Sequence, residues 1–530
     1  MSISRMLPSK QAIALLALLS VTAFATAQKP DIERGLITNK KGAFDGLNLY
    51  TPLESGSTYL IDNDGKVVHT WTSDYRPGNQ AYLLPDGDLL RAASFGREGN
   101  ATFHGGGAGY RVQKFTWDNE KIWEWVYASE KVLMHHDIEP LPNGNVLILA
   151  WEMKTKEEAI QAGRNPELLR DDELWSEHVI EVKPIYPNRA EIVWEWHLWD
   201  HIIQDFDETV DNYGDVAAHP ELMDIDPPGF WMDRISEEEM EQLEALGYLG
   251  NDDVEKQKKS KRAGGADWLH MNAIAYNPIH DLIALSTLGN NEIYIIDHST
   301  TTEEAKGHTG GKYGHGGDYL YRWGNPLAYR LGTEADQRLF AQHDVHWIAE
   351  GLEGAGNLLI FNNGRGREGG PFSSVDEIIV PFDPEKGFHR EEGNAWGPKE
   401  PVWQYTADNK KDFNSNFISG AQRQPNGNTL ICAGAQGTFF EVTPKGKEVW
   451  RYVNPAYPIK PDTQKVDKDG NPKKINFMNF IVFRIYRYPH DYSAFKGKDL
   501  SPGPLLTDYL KDHPAKVALD LADELGTTEE

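Results

Sequence analysis

A short alternating strand motif that ends in an aromatic pair returns six times along this chain, and it restricts the fold more than any other feature. The pairs are His69/Trp71, Trp123/Trp125, Trp194/Trp196, Tyr321/Trp323, Trp403/Tyr405 and Trp450/Tyr452. Each closes a run such as Val-Trp-Glu-Trp or Val-Trp-Arg-Tyr. A repeat of roughly 50 residues with several strands per unit is the signature of a β-propeller, each unit forming one blade. The aromatic strands then mark packing between blades, and the central channel becomes the place to look for chemistry.

The units can be laid out strand by strand. First strands include Tyr59-Leu-Ile-Asp, Val112-Gln-Lys-Phe and Ile293-Tyr-Ile-Ile-Asp, and turns such as Asp64-Gly65 and Lys445-Gly446 lead into the aromatic strands. Third and fourth strands form hairpins through Pro85-Asp-Gly-Asp, Pro142-Asn-Gly-Asn and Pro425-Asn-Gly-Asn, where Asn-Gly and Asp-Gly supply the positive φ of a tight turn. The last unit, Phe477 to Tyr488, lacks a final strand, and Leu47 to Tyr50 is placed to supply it. The expected fold is therefore all-β: a six-bladed β-propeller over residues 43–490, closed by N- and C-terminal strands.

Three segments fall outside the repeat. Residues 1–27 read as a signal peptide: Arg5 and Lys10, an apolar run from Gln11 to Phe24, then Ala25-Thr26-Ala27 as the cleavage site. A partly helical insertion covers about 198–266, with Ser236 and Glu239 as a capping box and Gly247 as the stop, and it is expected over one channel mouth as a lid or subunit contact. Residues 491–530 form a peripheral tail, with an acidic helix beyond Lys511. No later stretch approaches the roughly 20 apolar residues of a membrane span. The chain is thus expected to be periplasmic or secreted.

Charge narrows the partners. The formal net charge is -28, and removing Arg5 and Lys10 with the signal takes it to about -30. Such acidity repels nucleic acid and anionic membranes. The single cysteine, Cys432, lies in an apolar strand and makes no internal disulfide.

Aligning the units on their hairpin prolines brings together the residues that begin each third strand: Asn79-Gln80, His135-His136-Asp137, His270-Met-Asn272, Gln342-His343-Asp344 and Ser419 to Arg423. After the fourth unit come Asn362, Asn363, Arg365 and Arg367. Three histidines at matched repeat positions point to a functional cluster. A neutral imidazole is a nucleophile, a protonated one donates to a leaving oxygen, and asparagine and arginine donors hold the oxygens of an anionic tetrahedral group. The same histidines are competent zinc ligands, and that alternative stays open. His308 and His315, in a glycine-rich stretch, are placed either to cap the site or in a loop without that role.

Asp267-Trp-Leu-His-Met-Asn-Ala-Ile, Gln342-His-Asp-Val, Asn357-Leu-Leu-Ile-Phe-Asn-Asn-Gly and Asn428-Thr-Leu-Ile-Cys together resemble the bacterial arylsulfate sulfotransferases over about residues 43 to 490. The resemblance implies an exported six-bladed propeller that moves a sulfuryl group from a phenolic sulfate ester to a phenolic acceptor. It further implies no cofactor or nucleotide sulfate, and ping-pong transfer through a sulfohistidine. Carried over, it makes His270, His343 and His136 the catalytic candidates. Asn272, Asn363, Arg365 and Arg423 become the substrate-binding ones. Where the family carries a serine–arginine pair this chain has Ser373-Ser374, and the fifth unit, where the covalent histidine is expected, carries Ser419 and Gln422-Arg423. The alternatives are a non-catalytic binding propeller, a quinoprotein dehydrogenase and a metal-dependent hydrolase.

Overall fold

The computed structural model describes residues 33–519, apart from 96–99, 101, 170, 228–264 and 459–476. The signal segment and the capped helix near Ser236 lie outside the described residues. Six four-stranded antiparallel blades are present, one of them extended by a fifth strand. From the channel outward, blade 2 runs Arg76–Leu83, Leu89–Ser94, Arg111–Phe115 and Lys121–Val126. Blade 3 runs Val132–Pro140, Val146–Thr155, Glu173–Ile185 and Arg189–His197. Blade 4 runs Met271–Asn277, Leu282–Thr287, Glu292–Asp297 and Tyr321–Trp323, and blade 5 His343–Trp347, Leu358–Asn362, Ser374–Ile378 and Trp403–Tyr405. Blade 6 runs Gly420–Arg423, Thr429–Ala433, Thr438–Val442 and Glu448–Val453.

Closure is made from both ends. Blade 1 takes Leu47–Pro52, Ser57–Ile61 and Val67–Thr72 from the N-terminal side and its innermost strand, Val482–Tyr488, from the C-terminal side. Leu47 pairs with Tyr488 and Tyr50 with Ile485, as the missing-strand argument requires. A second splice was not legible in the repeat: Gly35–Asn39 adds a fifth strand to the outer edge of blade 6, pairing Gly35 with Val453. Arg487 ties the closing strand to its neighbours. It is buried, donates to Asn48 Oδ1 at 2.7 Å and pairs with the equally buried Glu441 of blade 6.

The tail beyond the propeller folds back onto blade 1. The helix Leu506–Asp512 docks through buried Leu506, whose N–H donates to Gly65 O at 2.8 Å. From His513 to Leu519 the chain is not helical, and the acidic residues after Leu519 lie outside the described residues. Among the described residues, no helix is long and apolar enough to cross a membrane.

The aromatic pairs do more than fill space. At least one indole N–H in each blade reaches the outer connection of the next blade, where the third and fourth strands meet. Trp71 donates to Thr116 O at 3.1 Å, Trp123 to Arg189 O at 2.8 Å and Trp194 to Thr300 Oγ1 at 3.1 Å. Trp323 donates to Pro398 O at 2.7 Å, Trp403 to Pro444 O at 2.9 Å and Trp450 to Asn63 O at 2.8 Å. The last of these closes the ring from blade 6 to blade 1. In blade 1 the histidine of the pair joins in, with His69 Nε2 at 2.7 Å from Trp117 O.

Replacing Trp450 with phenylalanine keeps most of the buried ring and strips the donor from Asn63 O. An unsatisfied buried carbonyl costs about 1–3 kcal/mol. Trp450→Phe should therefore lower the chemical-denaturation midpoint measurably, with the folded circular dichroism spectrum unchanged; an unaltered midpoint would show that the ring closes by packing alone.

Candidate active site

At the end of the channel where the innermost strands begin, those strands lose regular pairing. Register shifts fall between Pro77 and Ala81, across Met134 to Ile138, between Met271 and Ala273, between His343 and His346, and between Val482 and Ile485. Bulges of this kind re-aim side chains. His136 and His270 both stand at φ 52°, and Asp344 at φ 55°, a region that non-glycine residues seldom occupy and that concentrates at functional sites. The bulges are thus the device that turns side chains of blades 3, 4 and 5 into one cluster.

His343 is the most completely defined member. Both N–H groups of the Asn363 amide are used, donating to Ser415 O at 2.7 Å and Ile418 O at 2.8 Å. Asn363 Oδ1 must therefore face the ring, and it lies 2.8 Å from His343 Nδ1. That bond puts the proton on Nδ1 and leaves the lone pair on Nε2. His343 Nε2 is buried, with no hydrogen-bond partner among the described residues. Burial pushes the pKa of this imidazole down to about 3, against the opposing hydrogen bond to Asn363.

His270 is a different kind of group. Its Nδ1 lies 2.5 Å from Asp267 Oδ2, an acid–imidazole pair within one short segment. His136 packs against it edge to face, ring centroids 4.5 Å apart. His136 Nδ1 lies 2.8 Å from His135 Nδ1, while the next ring nitrogen, His135 Nε2, is 3.0 Å from Glu177 Oε2. Glu177 Oε1 in turn accepts from Met271 N at 2.8 Å. Burial, followed by His270, His135, His343 and Arg484, drives the His136 pKa well below its ordinary value. Gly107 closes over this ring: a β-carbon there would sit 2.2 Å from His136 Nε2. That cover shields His136 Nε2 on this side.

Arg484, which the repeat did not single out, joins the centre of the cluster. It comes from the closing strand of blade 1 and meets Asp137 of blade 3, Nη1 donating to Oδ2 at 2.8 Å, and Asp344 of blade 5, with Nε 3.0 Å from Oδ1. Three alternate blades therefore meet across the channel. Burial opposes the charge of Arg484, but Asp137 and Asp344 outweigh it and hold its pKa above the ordinary value. Its Nη2 has no hydrogen-bond partner among the described residues. The signal for it was present: His136-Asp137 and His343-Asp344 repeat the same dipeptide, and two buried carboxylates at matched positions call for a shared cation.

The other expected residues divide. Asn272 belongs to the cluster wall, its amide donating to Gln342 O at 2.8 Å. Arg365 is buried beside His343 and donates to Asn416 O at 2.5 Å. Arg423 does not belong. It lies at the far end of its strand, pairs with Glu377 Oε2 at 2.5 Å and stacks over Trp403 of blade 5. Its Nη1 donates to Gly427 O of the adjoining turn at 3.3 Å, so its contacts are those of blade-to-blade packing. Arg367 is likewise occupied, donating to Ser374 Oγ at 3.1 Å and lying over Phe372. His308 and His315 do not cap the channel. They line a separate cavity of about 720 Å³ on the outer wall beside blades 4 and 5.

A family model described as arylsulfotransferase (ASST) matches residues 36–379. The chain belongs to this family. Membership supports sulfotransferase activity in the general sense and small-molecule aryl substrates. No curated protein matches the sequence. Similar solved structures include a protein of unknown function from Bacteroides caccae, 10% identical, TM-score 0.39, covering 84% of this chain and 99% of that one. The β-propeller domain of Cps50 (Swd1) from Myceliophteria thermophila is 10% identical, TM-score 0.34, covering 79% of this chain and 89% of that one. The periplasmic gluconolactonase PpgL of Pseudomonas aeruginosa is 11% identical, TM-score 0.35, covering 77% and 96%. No function transfers at such distances.

A histidine kept neutral to about pH 3 has a signed consequence. The unfolded chain takes up a proton near pH 6.5, while the folded chain does not until about pH 3. The unfolded state binds more protons in that window, so stability falls as pH falls, by about 1.4 kcal/mol per unit for a single group. In this arylsulfotransferase-family protein His343→Gln should remove that slope. The stability gap between wild type and variant, from denaturant unfolding at several pH values, should shrink from pH 6.5 downward and be constant above pH 7.

Proposed function

We propose that this chain transfers a sulfuryl group from an aryl sulfate ester to a phenolic acceptor by a ping-pong route, with His343 as the residue that carries the group. The observation that carries the reading is the His343–Asn363 pair: a ring held neutral by burial, its Nδ1 proton fixed by an amide, and its Nε2 lone pair without a partner among the described residues. Such a nitrogen is a nucleophile across the physiological pH range.

In the first half-reaction, Nε2 of His343 forms a bond to sulfur as the bond from sulfur to the aryl oxygen breaks. The electron pair leaves with the phenoxide, which takes a proton from His270. The transition state is loose, like that of phosphoryl transfer, so positioning and charge stabilisation dominate over covalent assistance. Asp267 orients His270 through the 2.5 Å contact. Nη2 of Arg484, without a hydrogen-bond partner among the described residues, supplies a donor for the sulfuryl oxygens, with Arg365 and Asn272 nearby. In the second half-reaction a phenol loses its proton to His270, attacks sulfur and frees His343. No step calls for a cofactor.

Arg484 offers an anionic ester a directed donor rather than net positive charge, since Asp137 and Asp344 both face its single charge. A chain of net charge -28 repels an anionic ester at long range, and attraction has to be local. Asp137 and Asp344 occupy two edges of the guanidinium and leave a third for the ligand. The N-terminal signal pattern supports an exported protein, periplasmic or secreted, where phenolic esters are met without a nucleotide sulfate pool.

The decisive measurement is single-turnover trapping with 4-nitrophenyl sulfate. The wild type should release one equivalent of nitrophenol in a burst and carry sulfuryl mass on the peptide containing His343. His343→Ala should lose both, while keeping its fold. Sulfuryl mass on another peptide in that variant would reassign the nucleophile, and absence of any burst in wild type would favour a binding propeller.

The role of His270 separates by leaving group. His270→Gln should slow transfer from unsubstituted phenyl sulfate by about 10²–10⁴-fold, the usual worth of general acid catalysis. With 4-nitrophenyl sulfate, whose phenoxide needs little protonation, the loss should be far smaller. Equal losses on both donors would argue that His270 merely shapes the site.

A further inference from the structure

The three side chains His201, His308 and Asp318 meet on the outer wall, away from the channel histidines. His201 ends the 3₁₀ turn Leu198–His201 that follows the outer strand of blade 3. His308 and Asp318 lie in the loop between the helix Thr302–Ala305 and the outer strand of blade 4. His201 Nδ1 and His308 Nδ1 each lie 2.8 Å from the same atom, Asp318 Oδ1. The two rings stand at 88° with centroids 5.8 Å apart. Two nitrogen lone pairs lie in the planes of their rings, so here both point at one spot.

The protonation pattern of His201 adds a second, independent observation. Its Nε2 lies 2.8 Å from Ala305 O, and a carbonyl only accepts, so Nε2 carries a proton. The ring is fully buried, and Nδ1 faces a carboxylate oxygen, which also accepts. With Nε2 committed to the carbonyl, Nδ1 is the edge of the ring available to a ligand-binding role, and it is turned toward Asp318. A ligand imidazole whose other nitrogen donates to a backbone carbonyl is the usual outer arrangement of a metal site, since it fixes both tautomer and ring direction. The loop is built to allow it: a β-carbon at Gly317 would fall 2.0 Å from Ala305 O and 2.5 Å from His201 Nε2.

We propose that His201, His308 and Asp318 bind a divalent transition-metal cation of the zinc class. Two imidazole nitrogens and one carboxylate oxygen suit zinc, cobalt or nickel better than magnesium or calcium, which take oxygen. Bonds of 2.0–2.2 Å require the carboxylate oxygen to withdraw by about 1 Å or more from its present place between the rings. His308 is 61% exposed by its side chain and lines the cavity of about 720 Å³, so the remaining coordination position faces solvent there. The metal fastens the glycine-rich loop of blade 4 to the end of blade 3, at a junction where Trp196 already donates to Gly317 O at 2.8 Å.

A neighbouring group, His178, Glu195 and His197, brings three ligand atoms close as well. Its two rings stack face to face, 4.0 Å apart and 17° from parallel, so their lone pairs run side by side and do not converge. Geometry thus favours the first cluster.

The mature protein, treated with chelator and titrated with Co²⁺ and Zn²⁺, tests this. Wild type should take up one equivalent at this site, develop visible cobalt absorption and melt at a higher temperature with zinc than without. His308→Ala, at an exposed position, and Asp318→Asn should weaken Co²⁺ binding at least tenfold and abolish the thermal shift. His197→Ala and His343→Ala, in the other two histidine clusters, should leave both readouts unchanged. Undiminished binding in His308→Ala and Asp318→Asn, or no uptake by wild type, would overturn the assignment and leave a protonated His–Asp–His hydrogen-bond network in its place.

Discussion

A ring of indole donors holds this molecule together. In every blade a tryptophan of the fourth strand gives its N–H to the outer turn of the next blade, and the sixth bond returns to the first. Energy and direction come from different parts of the same residue. Burying an indole removes about 150–250 Å² from water, worth several kcal/mol at about 25 cal/mol per Å². A single hydrogen bond nets only about 1 kcal/mol. Packing therefore drives blade against blade, while the N–H fixes how far each blade is advanced relative to its neighbour. That angular setting is what brings six innermost strands to the channel at one level.

The site follows from this setting. Its residues sit in bulges of the innermost strands, where a left-handed backbone at His136, His270 and Asp344 turns side chains that a regular strand would send elsewhere. Such conformations persist only where the surroundings over-determine them. The clamp of Arg484 between Asp137 and Asp344 supplies part of that restraint, joining blades 1, 3 and 5. It also places a permanent cation beside imidazoles that burial keeps neutral. The three groups are thus kept distinct by their partners: an amide for His343, a carboxylate for His270, and two carboxylates for Arg484.

Much of this was legible residue by residue. Six aromatic strands gave blade number, and the missing last strand gave closure by Leu47–Pro52. Aligned hairpin prolines placed His136 and His343 at one level. Arg484 escaped because its strand closes the ring and carries no hairpin proline to align it. Arg423 was drawn in because it shares a short strand with the site level, yet its side chain is taken by Glu377 and Trp403. The strand Gly35–Asn39 escaped because five residues outside the repeat carry no aromatic pair.

By itself the sequence determined the architecture and the chemical inventory: six blades, a ring closed from both ends, and histidines, asparagines and arginines brought toward one channel. Repetition made this readable, because each unit reports on the others. Only the tertiary structure decided which of those groups face one another and in what state. Whether an imidazole is a nucleophile, an acid or a metal ligand depends on its partner and its burial. Those are set by contacts between residues far apart in the chain, such as Arg484 with Asp137 and His201 with Asp318, which no local spacing encodes.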